Sequence, residues 1–216
     1  MTLSELNTNT QTKQTQSIVS PAMAIDLLKE GNQRFVDNKQ VSRSLSKQVS
    51  DTSTGQFPFA TVLSCIDSRV SSELIFDQGI GDIFSIRIAG NFINQDILGS
   101  MEFACKLAGT KVLVVLGHTS CGAVKGACDH AKLGNLTAML DKIMPAVNDV
   151  KFPSEKEERN SSNMDFVNEV ARINVLLNID RILKESSVLD EMHKEGSIKI
   201  VGGMYDISSG KVEFYG

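Results

Sequence analysis

Residues 111–122 read KVLVVLGHTSCG. After Lys111 comes an unbroken apolar run rich in valine and leucine, closed by Gly117. A short run of that kind predicts a strand covered on both faces, the usual condition of strands in a parallel sheet. The residues that follow change character at once: His118, Thr119, Ser120 and Cys121, then Gly122 at the head of a helical pattern. A second stretch repeats the arrangement. Residues 59–65, FATVLSC, form a short apolar run that leads into Cys65-Ile66-Asp67-Ser68-Arg69. In open α/β sheets, ligand sites collect beyond the carboxyl ends of the strands. If the two strands are neighbours, Cys65, Asp67, His118 and Cys121 converge at one sheet edge.

Working outward, Ser20-Pro21 is an N-cap followed by proline at the first helical position. The apolar spacing after it predicts a helix over about 21–37. Polar residues 38–57 read as a loop. A short helix over 71–77, a strand over 83–88 (IFSIRI) and a helix over about 96–108 follow. Beyond residue 121 the pattern predicts helices from 121, over about 134–149 and over 164–194, with Lys151–Asn163 as a connection around Pro153. IKIVGGMYDI and KVEFYG close the chain as a hairpin joined at Ser208-Ser209-Gly210. Strands alternating with helices give an α/β fold with a mainly parallel central sheet flanked by helices, plus an N-terminal helical arm. Residues 20–216 read as one domain, and residues 1–19, rich in Thr and Gln, as a disordered or loosely attached tail.

The composition narrows the classes. With 216 residues, 41% hydrophobic and 22% charged, the chain is neither collagen-like nor low-complexity. A net charge of −4 argues against a strongly basic nucleic-acid binder. No window reaches the ~18 apolar residues of a membrane span. The first twenty residues lack the basic start and apolar run of a secretory signal, so the expected location is the cytoplasm, with reduced cysteines.

The four cysteines and three histidines suffice for one metal site. Zinc favours thiolate sulfur and imidazole nitrogen in a tetrahedron. Cys65, His118 and Cys121 supply three ligands and leave a fourth place for water or a carboxylate, the composition of a catalytic rather than a closed structural site. Asp67, two residues from Cys65, can fill that place. Cys128 lies seven residues after Cys121, a rise of about 10.5 Å on a helix, whereas two sulfurs on one zinc stand only about 4 Å apart. Cys105, beside Phe103 and Ala104, and Cys128 read as small buried hydrophobes. Taken alone, His118-x-x-Cys121 is as well explained by chance; the whole set at two strand ends carries the metal reading. The absence of C-x-x-C argues against a redox protein, and Gly79-Ile80-Gly81 completes no phosphate loop.

Ser64-Cys65-Ile66-Asp67-Ser68-Arg69-Val70 and Gly117-His118-Thr119-Ser120-Cys121-Gly122-Ala123 resemble the two signatures of the β-class carbonic anhydrases. The 52 residues between Cys65 and His118 and the intervening GDIFSIRIAGN are similar to that family as well. The similarity runs from about residue 21 to the C-terminus. It implies a zinc lyase that interconverts CO2 and bicarbonate through a zinc-bound hydroxide, with one Zn2+ per chain held by Cys65, His118 and Cys121. It implies a parallel sheet with one added antiparallel edge strand, and a homodimer or dimer of dimers with the site at the subunit interface. Asp67 and Arg69 match the family's catalytic pair, Asp67 also being a fourth ligand in a closed state. Gln56, Phe84, Ala89, Phe103 and Gly122 match substrate-pocket positions, with Gln56 and Phe84 supplied by the partner chain. Phe103 stands where several relatives carry tyrosine. Val62 stands where some relatives carry the tryptophan of an inhibitory bicarbonate site. Two other activities suit the same architecture: a carbon disulfide or carbonyl sulfide hydrolase, and a non-catalytic bicarbonate sensor.

Overall fold

The computed structural model describes residues 9–215. Five strands form one sheet: β1 (Ala60–Ser64), β2 (Ile83–Arg87), β3 (Val112–His118), β4 (Lys199–Tyr205) and β5 (Val212–Tyr215), in the order β2-β1-β3-β4-β5. The first four run parallel and β5 runs antiparallel to β4. This is the mixed α/β sheet expected from the sequence.

The apolar runs become strands because both faces of the sheet are covered. Every residue of β1 and β3 is buried. Successive strand side chains point to opposite faces, and β3 divides accordingly. Leu113 and Val115 join a core with Phe166, Val170 and Ile182, whereas Val112, Val114 and Leu116 join one with Leu27, Leu28 and Phe76. The first core lies under the long helix α9 (Met164–Glu185), and the second under α2 (Pro21–Val36). Ser20 caps α2 as expected, its Oγ accepting from the Met23 N–H.

The expected tail divides. Residues 1–8 lie outside the described residues, but Lys13–Ile18 is a helix, α1, capped by Thr12. It is tied down by buried Gln16, whose Nε2 donates to the Pro58 and Ala108 carbonyls at 2.7 and 2.8 Å. The expected loop over 38–57 contains α3 (Leu45–Thr52). Its only buried residue is Gln48, so no apolar stripe announces it. Short α4 (Ser72–Ile75) precedes β2, and α5 (Gln95–Glu102) runs on into a π-helical turn, Phe103–Leu107. After β3 comes α6 (Gly122–Cys128). The two long helices expected downstream are each broken. The first is α7 (Gly134–Leu140) and α8 (Met144–Asp149), with Pro145 in the opening turn of α8. The second is α9 and α10 (Ser187–Lys194), separated by Ser186, whose Oγ caps the new helix at Leu189 N.

Candidate metal centre

Strand order builds the site. β1 and β3 are adjacent and parallel, so both carboxyl ends open on the same edge. Cys65 is the first residue beyond β1, His118 is the last of β3, and Cys121 is the N-cap of α6. Between the last two, Ser120 takes a left-handed backbone (φ 57°) that turns the chain back toward the sheet. Asn168 of α9 holds this turn by accepting the Ser120 N–H at 2.9 Å.

The three ligand-type atoms lie within 4.8 Å of one another, and all three residues are buried. The two sulfurs are 3.9 Å apart. His118 Nδ1 faces the Thr119 carbonyl oxygen at 2.9 Å. A carbonyl can only accept, so Nδ1 carries the proton and Nε2 carries the free lone pair. Nε2 is buried and has no hydrogen-bond partner among the described residues. A buried acceptor left unsatisfied is unfavourable; a cation between Nε2 and the two sulfurs satisfies it. The cysteines also prepare for one. The bond from Cys121 pulls the Cys65 thiol down to about 4 against burial, helped by the Gly90 N–H 3.4 Å from its sulfur. The same bond, with burial, pushes Cys121 up. A cation favours the thiolate form of both.

Asp67 stands beside this cluster. Its Oδ2 lies 3.9 Å from His118 Nε2, too far for a hydrogen bond. Arg69 grips both of its oxygens, Nε to Oδ1 at 2.9 Å and Nη2 to Oδ2 at 2.7 Å, and the Arg69 N–H donates to Oδ1 at 3.0 Å. The Arg69 side chain holds the Asp67 carboxyl well below the usual carboxylate range. The carboxylate is therefore ionised, oriented and turned toward arginine.

A cavity of about 250 Å³ opens over Cys65 and Asp67. Ala89 and Gly122 line it, as expected, together with Ala123, Leu136, Met139 and Leu140. A Cβ at Gly122 would meet nothing within 4 Å, so that face of the helix start is clear. The other expected pocket residues stand elsewhere in the single chain. Gln56 is exposed and outside the cavity. Phe84 and Phe103 pack on each other, ring centroids 6.3 Å apart, and line a separate depression with Ile86 and Gly99. Cys105 and Cys128 are buried outside the cluster. Val62 is wholly enclosed in the α2-side core.

Several contacts at the site were not anticipated. The apolar wall from α7 was not, nor was Asn174, a buried residue of α9 whose Nδ2 donates to the Gly90 carbonyl at 2.9 Å. Arg87 donates to the Cys65 and Asp67 carbonyls. The available signals were a charge inside a strand pattern and asparagines on the apolar face of a helix.

A sequence model of the family described as carbonic anhydrase matches residues 60–212, from the first residue of β1 to the first of β5. This chain belongs to the β-carbonic anhydrase family. It is 37% identical over 198 residues to carbonic anhydrase 2 of Mycobacterium tuberculosis, covering 89% of this chain and 91% of that one. The carbonic anhydrase of Mycolicibacterium smegmatis is 33% identical over 201 residues, 90% of this chain and 93% of its own. Among solved structures, the β-carbonic anhydrase CcaA aligns at TM-score 0.70 and 26% identity, covering 88% of this chain and 87% of its own. One of two tetrameric β-carbonic anhydrases from Sordaria macrospora shares the fold at TM-score 0.66 and 21% identity, with coverages of 79% and 90%. The family match thus spans β1 to β4 and both segments that carry the buried cluster.

Proposed function

We propose that this chain is a zinc enzyme for the reversible hydration of CO2 to bicarbonate and a proton, with Cys65, His118 and Cys121 as the protein ligands of one Zn2+. The observation that carries the reading is the orphaned, buried His118 Nε2 facing two buried sulfurs beside an arginine-held carboxylate. Zinc held by these side chains supplies a Lewis acid that brings the pKa of a water toward neutrality.

The chain's own residues do the rest. Asp67 is the hydrogen-bond acceptor that orients the attacking oxygen. Arg69 occupies both carboxylate oxygens, which keeps Asp67 available at the cluster's edge but off the fourth ligand position. Two thiolates and one neutral imidazole cancel the ion's charge, so water is acidified less than by three neutral histidines, and activity rises with pH. Ala89, Leu136 and Met139 give an uncharged molecule an apolar approach. Gly122 leaves room at the helix start, where its amide faces the reacting group. Gln56, Phe84 and Phe103 complete the pocket from a second subunit, in a homodimer or dimer of dimers. Their placement outside the cavity of one chain and the tetrameric S. macrospora relatives support that arrangement. The catalytic domain is taken as residues 20–216. All four cysteines are unpaired, which suits a reducing cytoplasm.

The test is zinc content measured together with CO2 hydration, for the intact chain and for Asp67→Asn. The expected result is one zinc per chain in both and activity lost in the variant. A metal-free active protein would overturn the zinc assignment, and full activity in Asp67→Asn would overturn the role of Asp67. Faster turnover of carbon disulfide than of CO2 would replace the substrate.

A further inference from the structure

Arg87 is the last residue of β2 and stands in register with Ser64, the last of β1. Its side chain reaches over the end of β1. Nε donates to the Cys65 carbonyl at 3.0 Å and Nη2 to the Asp67 carbonyl at 2.7 Å. One planar guanidinium thus bridges the two carbonyls on either side of the peptide segment at Ile66. The bonds that the segment makes within itself are Val70 N–H to the Asp67 carbonyl at 2.9 Å and Arg69 N–H to Asp67 Oδ1 at 3.0 Å, and the Cys65 sulfur also meets the Gly90 N–H at 3.4 Å. The first two close the turn on itself, whereas Arg87 ties its backbone to the neighbouring strand. Arg87 is exposed, so it fills no space in the core.

We propose that Arg87 is a positioning residue of the metal centre. It sets where the Cys65 sulfur stands relative to the Asp67 carboxylate, and so acts on the held metal and on the oriented carboxylate without touching either. Lysine cannot replace it fully, because two separated carbonyls need the divergent N–H groups of a rigid fork. Partners of this kind change metal affinity or activity by about 10–100-fold when removed. The inference rests on the reading that Cys65 holds a metal.

The experiment uses full-length protein loaded with zinc or with cobalt, as wild type, Arg87→Gln and Arg87→Lys. Three quantities are read: the rate of zinc release to a colorimetric chelator, the visible and thiolate-to-cobalt absorption of the cobalt form, and the melting temperature of the metal-free protein. Arg87→Gln is expected to release zinc about 10–100-fold faster and to change the cobalt spectrum. Its metal-free melting temperature should stay within a few degrees of wild type. Arg87→Lys should recover part of both losses. Wild-type release rates and an unchanged cobalt spectrum in Arg87→Gln would overturn the proposal. So would release rates that merely follow the melting temperature across the variants. If Arg87→Gln does not fold, Arg87→Lys carries the same comparison. If wild type itself holds neither zinc nor cobalt, the metal reading fails; if wild type holds them and the variants match it, only the role of Arg87 fails.

Discussion

Asp67 and Asp77 are both gripped by arginine, ten residues apart in the chain, and their surroundings are opposite. Asp67 is paired with Arg69, two residues away, and half of the Arg69 side chain is in solvent. Asp77 is paired with Arg34 and Arg43, whose side chains are 21% and 7% exposed, and its own is 3% exposed. It also accepts the Val41 N–H at 3.2 Å, while its carbonyl accepts from Arg43 Nη2 at 2.6 Å. The difference lies in what each carboxylate has left over. Asp67 keeps an edge toward the cysteine–histidine cluster and an apolar cavity. Asp77 has its oxygens committed inside a knot that clamps the segment around residues 41–43, and Arg34 of α2, to the turn after α4. One ion pair borders the cysteine–histidine cluster and its cavity, and the other is enclosed away from both.

The sharpest way to separate the two regions is to remove a ligand. Cys65→Ser and His118→Ala should each reduce zinc to background and CO2 hydration to the uncatalysed rate, read by metal analysis and stopped-flow. Zinc retained at full stoichiometry in either would break the assignment. Next comes the knot. Asp77→Asn leaves two largely buried arginines without their counter-charge, and breaking a buried pair in this way costs about 3–5 kcal/mol. The urea midpoint should fall accordingly, with zinc per folded chain unchanged. A smaller effect, and the opposite signature, is expected for Asp67→Asn: about 100-fold less activity, zinc retained and the urea midpoint close to wild type. If Asp67→Asn unfolds the protein while Asp77→Asn only slows it, the contrast between the two sites is wrong.

The smallest effect concerns Asp82, which neighbours the knot. Its Oδ2 accepts the Gly79 N–H at 2.7 Å, but Oδ1 is buried and has no hydrogen-bond partner among the described residues. Burial pushes its carboxyl up to about 6 from an ordinary 3.8. Between those values the folded chain holds a proton that the unfolded chain has released, so stability falls as pH rises through the window and levels off above it. Asp82→Asn removes that loss. Its gain over wild type should grow from near zero below pH 4 to on the order of 2–3 kcal/mol above pH 6. A pH-independent difference in urea midpoints would show that Asp82 is not the group responsible.

Much of this was legible in the residues. The mainly apolar runs at 60–64 and 112–116 announced strands covered on both faces, because burial on both sides favours apolar side chains and admits polar ones only with a partner, as Thr61 has in Thr110 and Ser64 in Ser72. Cys65, His118 and Cys121 stood out because few residue types bind soft cations and all three follow strands. Asp67 and Arg69 were expected as a pair from the resemblance to the β-class carbonic anhydrases. Less was visible where polar side chains do the holding. Gln16 anchors the N-terminal arm through carbonyls 42 and 92 residues away, and Gln48 is the only buried residue of α3. Neither leaves an apolar trace.

The sequence by itself determined the elements and the donor chemistry, because whether a segment is wet or dry, and whether a side chain can bind a metal, are local properties. The tertiary structure decided the rest. It placed β1 between β2 and β3, so that Cys65 meets His118 on one side and Arg87 on the other. It laid α9 against the site, so that Asn168 and Asn174 hold the turns around it. It also left Gln56, Phe84 and Phe103 outside the cavity of the single chain. Those outcomes depend on which elements become neighbours, and hydrogen bonds spanning 22, 48 or 84 residues leave no periodicity along the chain.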